Sequence, residues 1–147
     1  MVSSANNGTN NGWENDGGGG LEDIGATQAI HLMLLQTIDS ALVLFPAWPT
    51  DSNDVSFTQL RAAGAFLVSA GWNHGQVLSP VRVTSMAGAN LVIAKPWDKV
   101  CVHDSSGGRL VEGEVKDTKG RGLPDVDPLG RLTVKTEKGQ SYALVKC

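Results

Sequence analysis

The chain has 147 residues, enough for one domain with an appended piece; 41% are hydrophobic, sufficient for a core, and only 18% are charged. A formal net charge of −3 excludes the basic footprint of a nucleic-acid-binding protein. No apolar run reaches the roughly 18 residues that a membrane-spanning helix needs.

Residues 1–20, MVSSANNGTNNGWENDGGGG, are almost wholly Asn, Gly, Ser and acids. Such a segment cannot bury enough apolar surface to offset ordering, so it reads as a mobile leader, with Trp13 its only large apolar group. It lacks the basic start and apolar run of a signal peptide. Asn7-Gly8-Thr9 is an acceptor triplet for N-glycosylation, usable only in eukaryotic secretion. Glu14, Asp16, Glu22 and Asp23 cluster near the glycines. Paired carboxylates equip glycoside hydrolysis, but acids are also the ordinary content of a disordered leader.

A helix follows, with Asp23 or Thr27 placed to cap its start. Ile30, Met33, Leu34 and Ile38 share one face, and Leu32 and Leu35 make the opposite side apolar too. A helix apolar nearly all round needs cover on more than one face. The 26–38 helix is therefore a candidate contact surface for self-association. His31, alone in its middle, reads as a packed or surface residue rather than a catalyst.

From Ala41 the pattern turns to strands. Ala41–Phe45 reads as a buried strand, stopped by Pro46 and Pro49, which cannot donate to a ladder and which fix Trp48 between them. Further strands are expected at 57–62, 65–70, 81–85, 91–94, 99–103 and 109–115, with turns at Asn73-His74-Gly75 and Ala87–Asn90. Residues 116–128, rich in Gly, Pro and Asp, read as a surface loop; Asp125-Val126-Asp127 within it lacks the spacing of a calcium loop. Residues 130–136 and 141–145, flanking Glu-Lys-Gly-Gln, read as a terminal hairpin. Short strands at this spacing predict a mostly β chain, an antiparallel β-sandwich with one N-terminal α-helix. The expected partition is a leader over 1–20, a helix over 21–40 and the sandwich over 41–147.

Little in the chain speaks of chemistry. The three histidines are scattered, and no metal or cofactor is implied. Cys101 and Cys147 match no metal spacing; they are either unrelated thiols or a disulfide tying the last residue to the sheet. Trp48, Trp72 and Trp97 are the candidate ligand-binding residues, since an aromatic face suits the C–H face of a sugar ring. Trp48 reads as core, while Trp72 and Trp97, beside turns, read as partly exposed.

The stretches GATQAIHLMLLQ (25–36), FPAWP (45–49), LRAAGAF (60–66) and TEKGQSY (136–142) together resemble the C-terminal part of glycoside hydrolases similar to the family-95 α-L-fucosidases. The likeness covers roughly residues 17–147. It implies that the helix is the last of an (α/α)6 catalytic barrel, that FPAWP is the corner where the barrel hands over to a β-sandwich, and that the parent protein is secreted. Where such fucosidases carry a catalytic aspartate this chain has Leu21, and Glu22 is the nearest acid. The barrel with its general acid has no counterpart. The isolated chain is thus expected to be a non-catalytic module whose partners are glycans, a missing barrel, or further copies of itself.

Overall fold

The structure is a computed structural model that describes residues 20–51, 54–110, 115–118 and 127–147. The leader with Trp13, Glu14, Asp16 and the 7–9 triplet lies outside the described residues, as do Asp125 and Val126. The chain divides into two compact units, Met1–Leu32 and Met33–Cys147.

The first unit holds most of helix α1, Gly20–Leu34. Its described side chains from 24 to 30 are exposed, with Ile24 at 68% and Ile30 at 53%. The second unit is a sandwich of two sheets. One has the order β1(Leu35–Ile38), β2(Ala41–Leu44), β7(Leu91–Ala94), β10(Arg131–Val134), β9(Val115–Thr118). The other runs β3(Val55–Ala62), β4(Phe66–Asn73), β6(Val81–Ser85), β11(Ser141–Lys146), β8(Val100–His103), with β5(Gln76–Val77) paired to β4. The chain is mostly β and antiparallel, apart from one parallel contact at Leu42 and Ile93.

Alternation builds the core. Phe66, Val68 and Ala70 on β4, Val81 and Val83 on β6, Leu132 and Val134 on β10, and Tyr142 and Leu144 on β11 all point inward and are buried. Each such aliphatic side chain contributes about 1.5–3 kcal/mol on burial. Ser85 and Thr136 are also buried, and satisfied: the two hydroxyls share a hydrogen bond of 2.8 Å, Gly88 N–H donates to Ser85, and Thr136 reaches the Ala89 carbonyl.

The structure departs from the sequence pattern in three places. The helix ends at Leu34, not near residue 38 or 40, because Leu35–Ile38 pairs with Ala41–Leu44. Asp39 and Ser40 make the two-residue turn, with φ of 47° and 64°, both in the left-handed region that a type I′ hairpin demands. The Leu34 carbonyl, orphaned at the helix end, accepts from Phe45 N–H at 2.8 Å and so extends the ladder by one bond. Second, residues 116–118, expected in a surface loop, belong with Val115 to edge strand β9 on β10. Third, β10 and β11 do not pair as a hairpin. Residues 135–140 carry the chain from one sheet to the other, and Tyr142 Oη accepts from Glu137 N–H across that arch. Both strands place apolar residues inward, and each finds better partners elsewhere: β10 between β7 and β9, β11 between β6 and β8.

A buried cation ties the first hairpin down. Arg131, 7% exposed, donates from Nε to Asp127 Oδ2 at 2.5 Å and from Nη1 to the Asp39 carbonyl at 2.8 Å, with Asp39 Oδ2 at 3.1 Å. The bond to Asp127 is the main reason its guanidinium is held above its ordinary pKa. Asp127 is thereby an ion-pair partner inside the fold, not a solvated turn residue.

Removing Asp127 alone should strand this charge. Asp127→Ala is expected to lower unfolding free energy by about 3–5 kcal/mol in urea denaturation, and adding Arg131→Met should recover much of the loss.

Candidate functional site

The described residues of the sandwich unit enclose an open cleft of about 500 Å3. Three pieces of backbone supply most of its lining, and Leu129, just before β10, adds to it. The first is the β4–β5 hairpin, in which Trp72 pairs with Val77 and Asn73 with Gln76. Its turn, His74-Gly75, has φ of 48° and 77°, so the Asn-His-Gly signal does mark a tight turn with positive φ. The second is the connection from β7 to β8, carrying Pro96, Trp97, Asp98 and Lys99 into the wall. The third is the end of β11, with Lys146 and Cys147.

Specific bonds fix these pieces. Trp97 Nε1–H donates to the Val77 carbonyl at 3.0 Å and holds the connection against β5. Cys147 N–H donates to the Lys99 carbonyl at 3.3 Å. Cys101 and Cys147 form a disulfide, with their Cα atoms 5.5 Å apart. Of the two readings of these cysteines, the bridged one holds, and the bridge frames one end of the cleft.

The three candidate tryptophans fare differently. Trp72 and Trp97 come together in the cleft. Trp72 is half-buried; its ring lies 5.5 Å from Phe45, and its indole N–H is buried without a partner among the described residues. Trp97 is only 7% exposed, contrary to its position beside a turn, because its indole nitrogen is used in holding β5. Trp48 is packed against the core and does not line the cleft.

Phe45 explains why the corner matters here. It is buried with φ of 53°, a left-handed conformation costing on the order of 1–2 kcal/mol for a bulky residue. That turn directs its ring onto Phe57 at 5.4 Å and onto Trp72 at 5.5 Å. Phe45, the first residue of FPAWP, is thus a support beneath the cleft wall.

The polar rim consists of Gln76, Asp98, Lys99 and Lys146, all exposed. Sequence reading singled out none of them. Their only signal is adjacency created by long-range pairing, since Lys146 sits opposite Val100 in the β11–β8 ladder. The side chain of Glu22 lies outside the described residues. Among the described residues no group of three or more His, Cys, Asp or Glu side chains gathers as a metal site. The histidines are dispersed: His31 on α1, His74 in the β4–β5 turn, His103 on β8.

A second hollow of about 410 Å3 adjoins the Asp104–Gly108 turn. There the Ser106 hydroxyl donates to Asp104 Oδ1 at 2.5 Å, with the Ser106 and Gly108 amides at 2.8 and 2.9 Å. The hydroxyl is the main reason the carboxyl is held below its ordinary pKa; desolvation opposes it, and the Gly108, Ser106 and Gly107 amides each add a smaller lowering effect. Its donors are all local, so it shapes the turn.

No protein-family model matches the chain, and no curated protein matches it. The site has to be read from its own geometry.

The disulfide closes a loop with a sequence separation of 46. Cys147→Ser is expected to cost about 2–4 kcal/mol in stability, seen as a lower unfolding midpoint, with reduction of the parent protein giving the same shift.

Proposed function

We propose that this chain is a non-catalytic, carbohydrate-associated β-sandwich module. The observation that carries the reading is the cleft: a half-buried Trp72 in a rigid wall, beside a rim of Gln76, Asp98, Lys99 and Lys146. An aromatic flank with amide and carboxylate neighbours suits a sugar, which has apolar C–H faces and a ring of hydroxyls. The resemblance of GATQAIHLMLLQ, FPAWP and LRAAGAF to the C-terminal region of family-95-like glycoside hydrolases supports the same reading, with α1 as the trace of a catalytic barrel and the sandwich as its accessory domain. The disulfide suits an oxidising, extracytoplasmic setting. Within the described residues no helix is long and apolar enough to cross a membrane.

A glycan array followed by calorimetry tests this. Selective binding is expected. Gln76→Ala should weaken it by roughly three- to tenfold through loss of one hydrogen bond. Trp72→Phe, which keeps a ring against Phe45, should weaken it as well. A folded protein that binds no glycan at millimolar concentration would defeat the proposal.

A second reading, self-assembly through α1, is favoured by the exposure of Ile24 and Ile30. Leu34 belongs to the core of the sandwich unit, so substitution there would report on folding, not association. Ile24→Glu with Ile30→Glu is the informative pair: in sedimentation velocity it should abolish any oligomer formed by the parent chain, and an unchanged oligomer would rule this surface out.

A further inference from the structure

The rim of the cleft is unequally charged. Asp98 is its one carboxylate side chain, against the ammonium groups of Lys99 and Lys146. Lys99 comes from the β7–β8 connection and Lys146 from β11, segments far apart in sequence that backbone bonding brings together. Lys146 pairs with Val100, Cys147 N–H bonds to the Lys99 carbonyl, and the Cys101–Cys147 bridge locks that pairing from one residue beyond. Both ammonium groups line this one cleft, where an anionic group of a ligand can meet them. The position is a built one: the lysines are exposed and line the same cleft as the partly open Trp72.

Resting on the carbohydrate reading above, we propose that this cleft selects acidic saccharides, sugars that carry a carboxylate or a sulfate ester. Lys99 and Lys146 hold the anionic group. Gln76 and Asp98 meet ring hydroxyls, the amide as donor or acceptor and the carboxylate as acceptor. Trp72 covers an apolar sugar face. Two lysines at the rim match a sugar with an isolated negative group rather than a densely charged strand. The net charge of −3 for the whole chain works against polyanions in the same direction.

The test is an array of uronate-containing and sulfated oligosaccharides, each printed beside its neutral counterpart, the methyl ester or the desulfated sugar. It is read at low and at physiological salt. Acidic forms are expected to bind at least tenfold more tightly than their neutral partners at low salt, with the margin shrinking as salt rises. Lys99→Gln or Lys146→Gln should reduce the margin severalfold, and Lys99→Arg should retain part of it. A response confined to uronates or to sulfates would support the proposal and identify the anion. Equal binding of acidic and neutral forms would overturn it while leaving the carbohydrate reading intact. Absence of binding to every sugar, by protein that circular dichroism shows to be folded, would remove both.

Discussion

The sandwich depends on how its first hairpin is held. Strands β1 and β2 join the rest of their sheet through one parallel pair, Leu42 with Ile93, a thin connection for an element that carries Leu35, Leu42 and Phe45 into the core. Arg131 makes up for it. It stands at the start of β10, opposite Ala94 and Thr118, and reaches back to the Asp39 turn, while Asp127 keeps it charged and oriented. A buried cation is a costly way to join two elements, but it specifies one arrangement: the guanidinium reaches Asp39 as well as Asp127 only when the turn lies where it does.

What rests on that joint extends to the cleft. With β2 placed, Phe45 leaves it in a left-handed conformation and lays its ring under Trp72. Trp72 pairs with Val77, Val77 accepts from Trp97, and Trp97 leads into Asp98 and Lys99. From the other side β11 arrives through the arch at 135–140 and is locked by the disulfide. The cleft is thus a meeting of both sheets' connections. Its shape follows from packing that is otherwise about stability, which is why conservative substitutions on the rim report on binding more cleanly than changes in its wall.

Where side-chain pattern alone decides structure, the sequence is legible. Val81–Ser85 and Leu91–Ala94 are strands with the boundaries their alternation suggests, and the Asn-His-Gly turn has its expected positive φ. Where a longer-range choice decides, it is not. Leu35–Ile38 continues a helical apolar pattern and becomes a strand because Ala41–Leu44 offers it a ladder two residues later, through a turn of Asp and Ser that carries no glycine. Val115–Thr118 has little apolar character and is recruited by the free edge of β10. The segment after Gly130 has every local mark of a hairpin, but the sheet to which each strand belongs is fixed by partners distant in sequence, Tyr142 lying opposite Val83 and Leu144 opposite Val81. The same limit applies to the cleft. Tryptophan is visible as a residue type, whereas the companionship of Lys99 and Lys146 exists only after β8 and β11 pair.

The covalent ring from Cys101 to Cys147 also sets the route by which load would travel through the molecule. Tension applied at residue 147 passes through the sulfur bridge into β8, not along β11. Strands β9, β10 and β11, and the Arg131 joint with them, stay slack until the bridge is cut. With 46 residues short-circuited, the oxidised chain is shorter at full extension by roughly 150 Å. A thiol that opened the bridge would therefore convert a mechanically sheltered half of the sandwich into one that bears force in series with the rest.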